Sequence, residues 1–317
     1  MASSRLPRAT PKAASARPLA LLLLAFLASA VKADLSHEGD LSVRIDDASE
    51  SDFRFQYRFR YRLNLDWQGG WSMHTFAATG DDFTSAYTTI GDNEHEFNVR
   101  RLFARYEGTR GKLELGSIPP FKGRVSSTGL SQEGWIKGLR GVLNFKPGRL
   151  ELVLGELDDL NPRRALAPPS ELNYVELEYS GSINDRLSFE GSIERILDSN
   201  FVRSELRYDP SDTTGYSIEV VHNLNTRKDR FLMGMTRLLN FEGNELDWFI
   251  YYSHVARGFG PRAELTEDFL EFGHALATEL SATVGDAGRL SWLSWFAKAE
   301  FYEGNSRGML GLTAEFE

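Results

Sequence analysis

Residues 53–67 alternate without a break. Phe53, Phe55, Tyr57, Phe59, Tyr61, Leu63, Leu65 and Trp67 fill the odd positions, and Arg54, Gln56, Arg58, Arg60, Arg62, Asn64 and Asp66 fill the even ones. Successive side chains of a strand point to opposite faces, so the segment predicts one strand with an apolar face and a face carrying four guanidinium groups. It is longer than the usual strand of a soluble sheet and long enough to cross a bilayer at a tilt. The scheme recurs. Leu102, Ala104 and Tyr106 oppose Arg101, Phe103 and Arg105; Val175, Leu177 and Tyr179 oppose Glu176 and Glu178; Val202, Leu206 and Tyr208 oppose Arg203, Glu205 and Arg207. Leu310, Leu312 and Phe316 repeat it at the C-terminus against Thr313 and Glu315.

Turn chemistry divides these segments. Gly, Asp, Asn and Pro mark short connections at 68–70, 108–111, 146–149, 182–185, 209–212, 241–244 and 285–288, with longer ones at 79–95, 117–134, 157–172 and 255–268. Short turns alternating with long loops predict an all-β, closed antiparallel transmembrane β-barrel, with the short turns periplasmic and the long loops extracellular. A further strand, with Leu41, Val43 and Ile45 against Ser42, Arg44 and Asp46, must precede residue 53. The count comes to about sixteen strands, an even number with both termini periplasmic; fourteen is the alternative, since the limits near 71–79 and 229–240 stay open.

Alternation does not say which face is inside, and a soluble barrel around a ligand would invert the assignment. Length favours the membrane. A continuous strand array of this size is too long for a small ligand-binding barrel and lacks the repeat of a propeller. In hydrocarbon every backbone polar group must be paired, which only a closed barrel achieves with strands. The charged faces then need a wet lumen, because one Lys or Arg turned to lipid at mid-depth costs about 2–4 kcal/mol. Trp67, Trp71, Trp135, Trp248 and Trp292 are candidates for interfacial girdles, with ordinary core packing the other reading.

The first 33 residues have a different character. A basic stretch, an apolar core at 18–28 and small residues at Ala28, Ala30 and Ala33 predict a cleaved secretory signal peptide, with Asp34 first in the mature barrel at 34–317. A short membrane anchor is the other reading. Removing Arg5, Arg8, Lys12, Arg17 and Lys32 from 36 basic residues leaves 31 against 45 acidic ones, a net charge of −14 that argues against nucleic acid as a partner. With no cysteine, disulfides, thiolate metal sites and a cysteine nucleophile are all excluded.

Residues 100–116, with Arg100, Arg101 and Arg105 on the first arm and Gly108, Gly111 and Gly116 around and after the turn, resemble the strand-turn-strand signature of Gram-negative general porins. The match is local; elsewhere the likeness is one of strand rhythm. Ser117 stands where that family often has a basic residue, and the chain ends in Phe316 and Glu317 where the family usually ends in an aromatic. The resemblance implies passive diffusion of small hydrophilic solutes or ions, outer-membrane lipid and lipopolysaccharide as surroundings, a homotrimer, and no cofactor. It also implies that the loop at 118–134, between the fifth and sixth strands, folds into the lumen as a constriction. The pore-lining residues expected are Arg54, Arg58, Arg60, Arg62, Arg101 and Arg105 on the wall, with Lys122, Arg124 and Glu133 in the loop. Basic wall against weakly acidic loop predicts an anion lean; pairing of these arginines with neighbouring carboxylates would remove it.

Enzymatic chemistry finds little support in the sequence. The six histidines show no metal-ligand spacing, and no GxSxG, P-loop or HExxH occurs. Ser253 and His254 are neighbours, but alternation sends them to opposite faces. No catalytic or metal residue is assigned, and a barrel with hydrolase or adhesin activity, or a soluble exported β-protein, are the competing readings. Sequence spacing leaves open a site assembled between distant strands.

Overall fold

The structure, a computed structural model, describes residues 33–91, 95–120, 130–157, 159–241, 244–265, 272–285 and 290–317. The expected leader, apart from its last residue, and the loop residues Lys122 and Arg124 lie outside the described residues. Seventeen strands follow one another: β1 Asp34–Ala48, β2 Ser51–Trp67, β3 Trp71–Thr79, β4 Thr88–Thr89, β5 Phe97–Gly108, β6 Gly111–Ile118, β7 Ile136–Phe145, β8 Gly148–Glu156 and β9 Tyr174–Asn184. The array continues with β10 Leu187–Ile196, β11 Ser199–Ser211, β12 Thr214–Asn223, β13 Lys228–Phe241, β14 Asn244–Val255, β15 Gly273–Thr283, β16 Leu293–Tyr302 and β17 Asn305–Phe316. Each pairs antiparallel with its neighbours, and β1 pairs with β17 from Gly39↔Phe316 to Ala48↔Arg307, which closes the sheet. Sixteen strands form the barrel. The two-residue β4 is the extra one, pairing with β2 at Gln56↔Thr89 and Tyr57↔Thr88 beyond the end of β3.

The faces fall as the alternation requires. Phe53, Phe55, Leu115, Leu177, Ile193, Leu206, Leu310 and Leu312 are exposed on the outside, whereas Glu114, Glu151, Glu176, Glu178, Arg203 and Glu219 are buried within. For a closed barrel of this size the outer belt meets lipid and the charged face meets an aqueous bore. Ile193, 61% exposed in the middle of β10, offers a direct check. Ile193→Arg should lower the unfolding free energy in bilayers by about 2–4 kcal/mol; an unchanged denaturation midpoint would put this face elsewhere than in lipid.

The two ends differ less than expected. Connections at the end where β1 begins are short, apart from that between β15 and β16. At the opposite end four of the eight connections are also tight, at 49–50, 197–198, 224–227 and 303–304. Three of these carry a non-glycine residue in the left-handed region, Leu197 (φ 56°), Arg227 (φ 55°) and Glu303 (φ 43°), the last followed by Gly304 (φ 87°). The long connections β3–β5, β6–β7, β8–β9 and β14–β15 are the ones that matter for the bore. Trp135 belongs to none of the girdles: it is 1% exposed, edge-on to Phe83 inside the barrel, while Trp71 and Trp292 are exposed at the short-turn end.

Candidate functional site: the occluded bore

Three stretches of loop-end chain, 80–87, 130–134 and 259–265, lie against the inner wall, each held by a named side chain. A β-bulge fixes the first. In the β3–β5 ladder Phe76 pairs with Arg101 and Ala77 with Val99, so Arg100 is an extra residue. Strict alternation would point it out to lipid; the bulge turns it inward beside Arg101, fully buried. Its guanidinium donates to the carbonyl oxygens of Thr79 (2.8 Å), Gly80 (3.0 Å), Asp82 (2.7 Å) and Ser85 (3.1 Å). Arg101 does the same for the second stretch, donating to the carbonyls of Gly134 (2.7 Å) and Gln132. The third is tied down by Arg262, whose guanidinium meets Glu194 at 2.8 Å, both side chains being buried. Asn223 donates to the Phe259 carbonyl at 2.6 Å, and the Ser131 amide to that of Leu265 at 3.0 Å, which joins the second stretch to the third.

The three stretches pack through an apolar cluster that includes Phe83, Phe103, Leu130, Trp135, Phe259 and Leu265. Gly134 is required there: a Cβ would come 2.3 Å from the Phe83 ring. Space remains on the other side. A cavity of about 720 Å³ lies between Glu133, Tyr87 and the wall of β1, β2 and β15–β17, and a second of about 1110 Å³ opens at the short-turn end; Glu279 and Ser281 line both.

Glu133 projects into the narrow part. Its Oε1 lies 3.1 Å from Arg60 and 3.8 Å from Arg58, and Asp40 on β1 sits 2.8 Å from Arg60 and 3.4 Å from Arg58. Burial alone would raise the Glu133 carboxyl; Arg60, Arg58, Arg101 and Arg100 outweigh it and hold the group below the ordinary glutamate value. Arg44 lies over the Tyr87 ring, 3.6 Å from its centroid, and Arg58 over the same ring at 4.8 Å.

Of the residues singled out in the sequence, the fold gathers Arg58, Arg60, Arg101 and Glu133. The others are dispersed along the wall. Arg54 pairs with Asp46 at 3.0 Å towards the loop end, Arg62 with the exposed Glu38 at 3.2 Å towards the other, and these two arginines are separated by roughly 26 Å of strand. Arg105 meets Glu114 at 2.9 Å on the far side of β3. Asp40, Arg100, Arg44, Arg307 and Lys298 were not among the expected pore residues, Arg100 having entered only through the porin-like hairpin. For Asp40 the signal was present: the tight β1–β2 turn sets a register that places Asp40 opposite Arg60, Asp46 opposite Arg54 and Glu38 opposite Arg62. Arg100 had none, since only the bulge reverses it. Ser253 is buried inside and His254 lies outside, on opposite faces of the wall.

A closed sixteen-strand barrel with a lipid-compatible belt, a charged lumen and loops folded into it defines a porin-like transmembrane β-barrel. Solved structures of the same architecture include mutants of the porin from Rhodopseudomonas blastica. A triple mutant superposes with a TM-score of 0.61 and a five-fold mutant with 0.60, each at 11% identity and covering 89% of this chain and 100% of the other. At that identity the likeness is one of fold. No protein-family model and no curated protein matches the chain.

Proposed function

We propose that the chain is an outer-membrane porin, a water-filled channel for passive diffusion of small hydrophilic solutes and ions, without chemistry in its transport step and without a cofactor. The observation that carries this reading is the pair of polar-lined cavities inside the closed barrel, one beside Glu133 and one at the short-turn end, with Glu279 and Ser281 common to their walls. Sieving falls to the inward stretches pinned by Arg100, Arg101 and Arg262. The end with the long loops faces outward against lipopolysaccharide, the short-turn end faces the periplasm, and residues 1–33 serve as the export signal. Assembly as a homotrimer is part of the proposal. An outward aromatic group, with Phe59 6.0 Å from Phe316 and 5.4 Å from Phe97, suits either lipid or a neighbouring copy.

The charge lining the narrow chamber is balanced in number. Arg44, Arg58, Arg60, Lys298 and Arg307 are matched by five carboxylates. The cations are gathered on β1, β2, β16 and β17, and the guanidinium groups of Arg44, Arg58, Arg60 and Arg307 share one wall. An anion lean at the constriction rests on that wall and is slight, because Asp40 and Asp46 lie among those guanidinium groups. Reconstitution into planar bilayers tests the channel. Stepwise, ohmic conductance that scales with bulk salt is the expected result; a folded, inserted barrel that passes no current would overturn the reading.

A further inference from the structure

A hydrogen-bonded chain of three side chains crosses the inner face of β2 and β3 near the short-turn end. Ser72 Oγ lies 2.8 Å from His74 Nε2, and His74 Nδ1 lies 2.8 Å from Asn64 Oδ1. Ser72 and His74 are two apart on β3 and share its inward face, and Asn64 is the direct cross-strand partner of His74. In the tautomer that suits both contacts, Nδ1–H donates to Asn64 Oδ1, and Nε2 accepts from the Ser72 hydroxyl. This is the relation of nucleophile, base and orienting group that acyl transfer requires.

The surroundings support the same use. The His74 ring stacks on Phe103, with centroids 4.9 Å apart and planes at 18°, which holds the imidazole in the plane of its two hydrogen bonds. Arg105 is the β5 partner of Ser72, and its guanidinium is paired with Glu114 at 2.9 Å. Ser72 is 8% exposed and lies two residues beyond the 68–70 turn, at the mouth of the bore.

We propose that Ser72, His74 and Asn64 form an esterase site inside the lumen, acting on short carboxylic esters small enough to enter the bore. Ser72 Oγ bonds to the ester carbonyl carbon as its proton passes to His74 Nε2. The carbon–oxygen bond to the alcohol breaks, and the departing oxygen takes that proton from His74. Water then attacks the acyl-serine, giving its proton to His74, which returns it to Ser72 Oγ as the carboxylic acid leaves. Asn64 holds the tautomer and is a positioning residue. The site does not depend on the channel reading, and the two fail separately.

The experiment treats the full-length barrel in detergent and in liposomes with a fluorophosphonate probe and with p-nitrophenyl acetate, and follows single-channel conductance in parallel. Expected are phosphonylation at Ser72 identified by peptide mass, hydrolysis that rises with pH as His74 loses its proton, and no labelling in Ser72→Ala. His74→Ala should slow labelling at least about 100-fold, and Asn64→Ala should slow it while Asn64→Asp retains it. Unchanged conductance in Ser72→Ala shows that the variant barrel is folded. Wild-type protein that conducts but is not labelled, or labelling that persists in Ser72→Ala, overturns the proposal.

Discussion

Arg100→Ala should widen the channel, raising single-channel conductance and admitting larger uncharged polymers than the native bore excludes. The guanidinium of Arg100 is the shared donor for four carbonyls of the 79–85 segment. A buried acceptor left unpaired costs about 1–3 kcal/mol, so a segment losing four partners is better hydrated than packed. It should leave the wall and take Phe83 from its contact with Trp135. Arg100→Lys should not restore the native bore, because an ammonium is a point donor and lacks the planar fork that spans four oxygens. Polymer-exclusion measurements and limited proteolysis at 80–87 read the change. Native conductance in Arg100→Ala would mean that the segment is held by its other contacts, the Ser131 hydroxyl on the Thr84 carbonyl and the Phe83–Trp135 packing among them.

The architecture was legible in the chain because a barrel wall is built from local rules. The alternation at 53–67 reports which face is greasy, and the turn residues report where the chain reverses. Where the local rules failed, another term won. Pro210 reads as a turn, yet β11 continues to Ser211, since a register shift between Tyr208 and Ser211 removes the missing N–H from the ladder. Leu197 closes a hairpin despite its side chain, because the long register of β10 and β11 compensates a left-handed residue. The constriction was legible only in part. Arg58 and Arg60 sit on a regular strand and their direction follows from parity, whereas their partner Glu133 is placed by a loop whose course depends on Arg100, Arg101 and Arg262. Ser72, His74 and Asn64 were individually visible, but their meeting required the β2–β3 register.

The double replacement Arg58→Ala with Arg60→Ala should move the reversal potential in a salt gradient towards cations, since it removes two of the five cationic groups facing the narrow chamber and leaves its five carboxylates. It should also destabilise the constriction. Glu133 is 4% exposed and would lose the two nearest cations, and stripping one side from a buried pair costs about 3–5 kcal/mol. Arg101 and Arg100 remain, but both are committed to loop carbonyls, so Glu133 must take up a proton or carry its loop into water. Acid should produce part of the same effect in the native protein. Because the Glu133 carboxyl is held below the ordinary glutamate value, its contribution is complete above that value and is lost only as pH falls through the lower, folded one. Glu133→Gln removes the charge while keeping the shape, and should shift selectivity the other way, towards anions. If the double arginine variant and Glu133→Gln moved the reversal potential in the same direction, or neither moved it, the selectivity would reside outside this cluster.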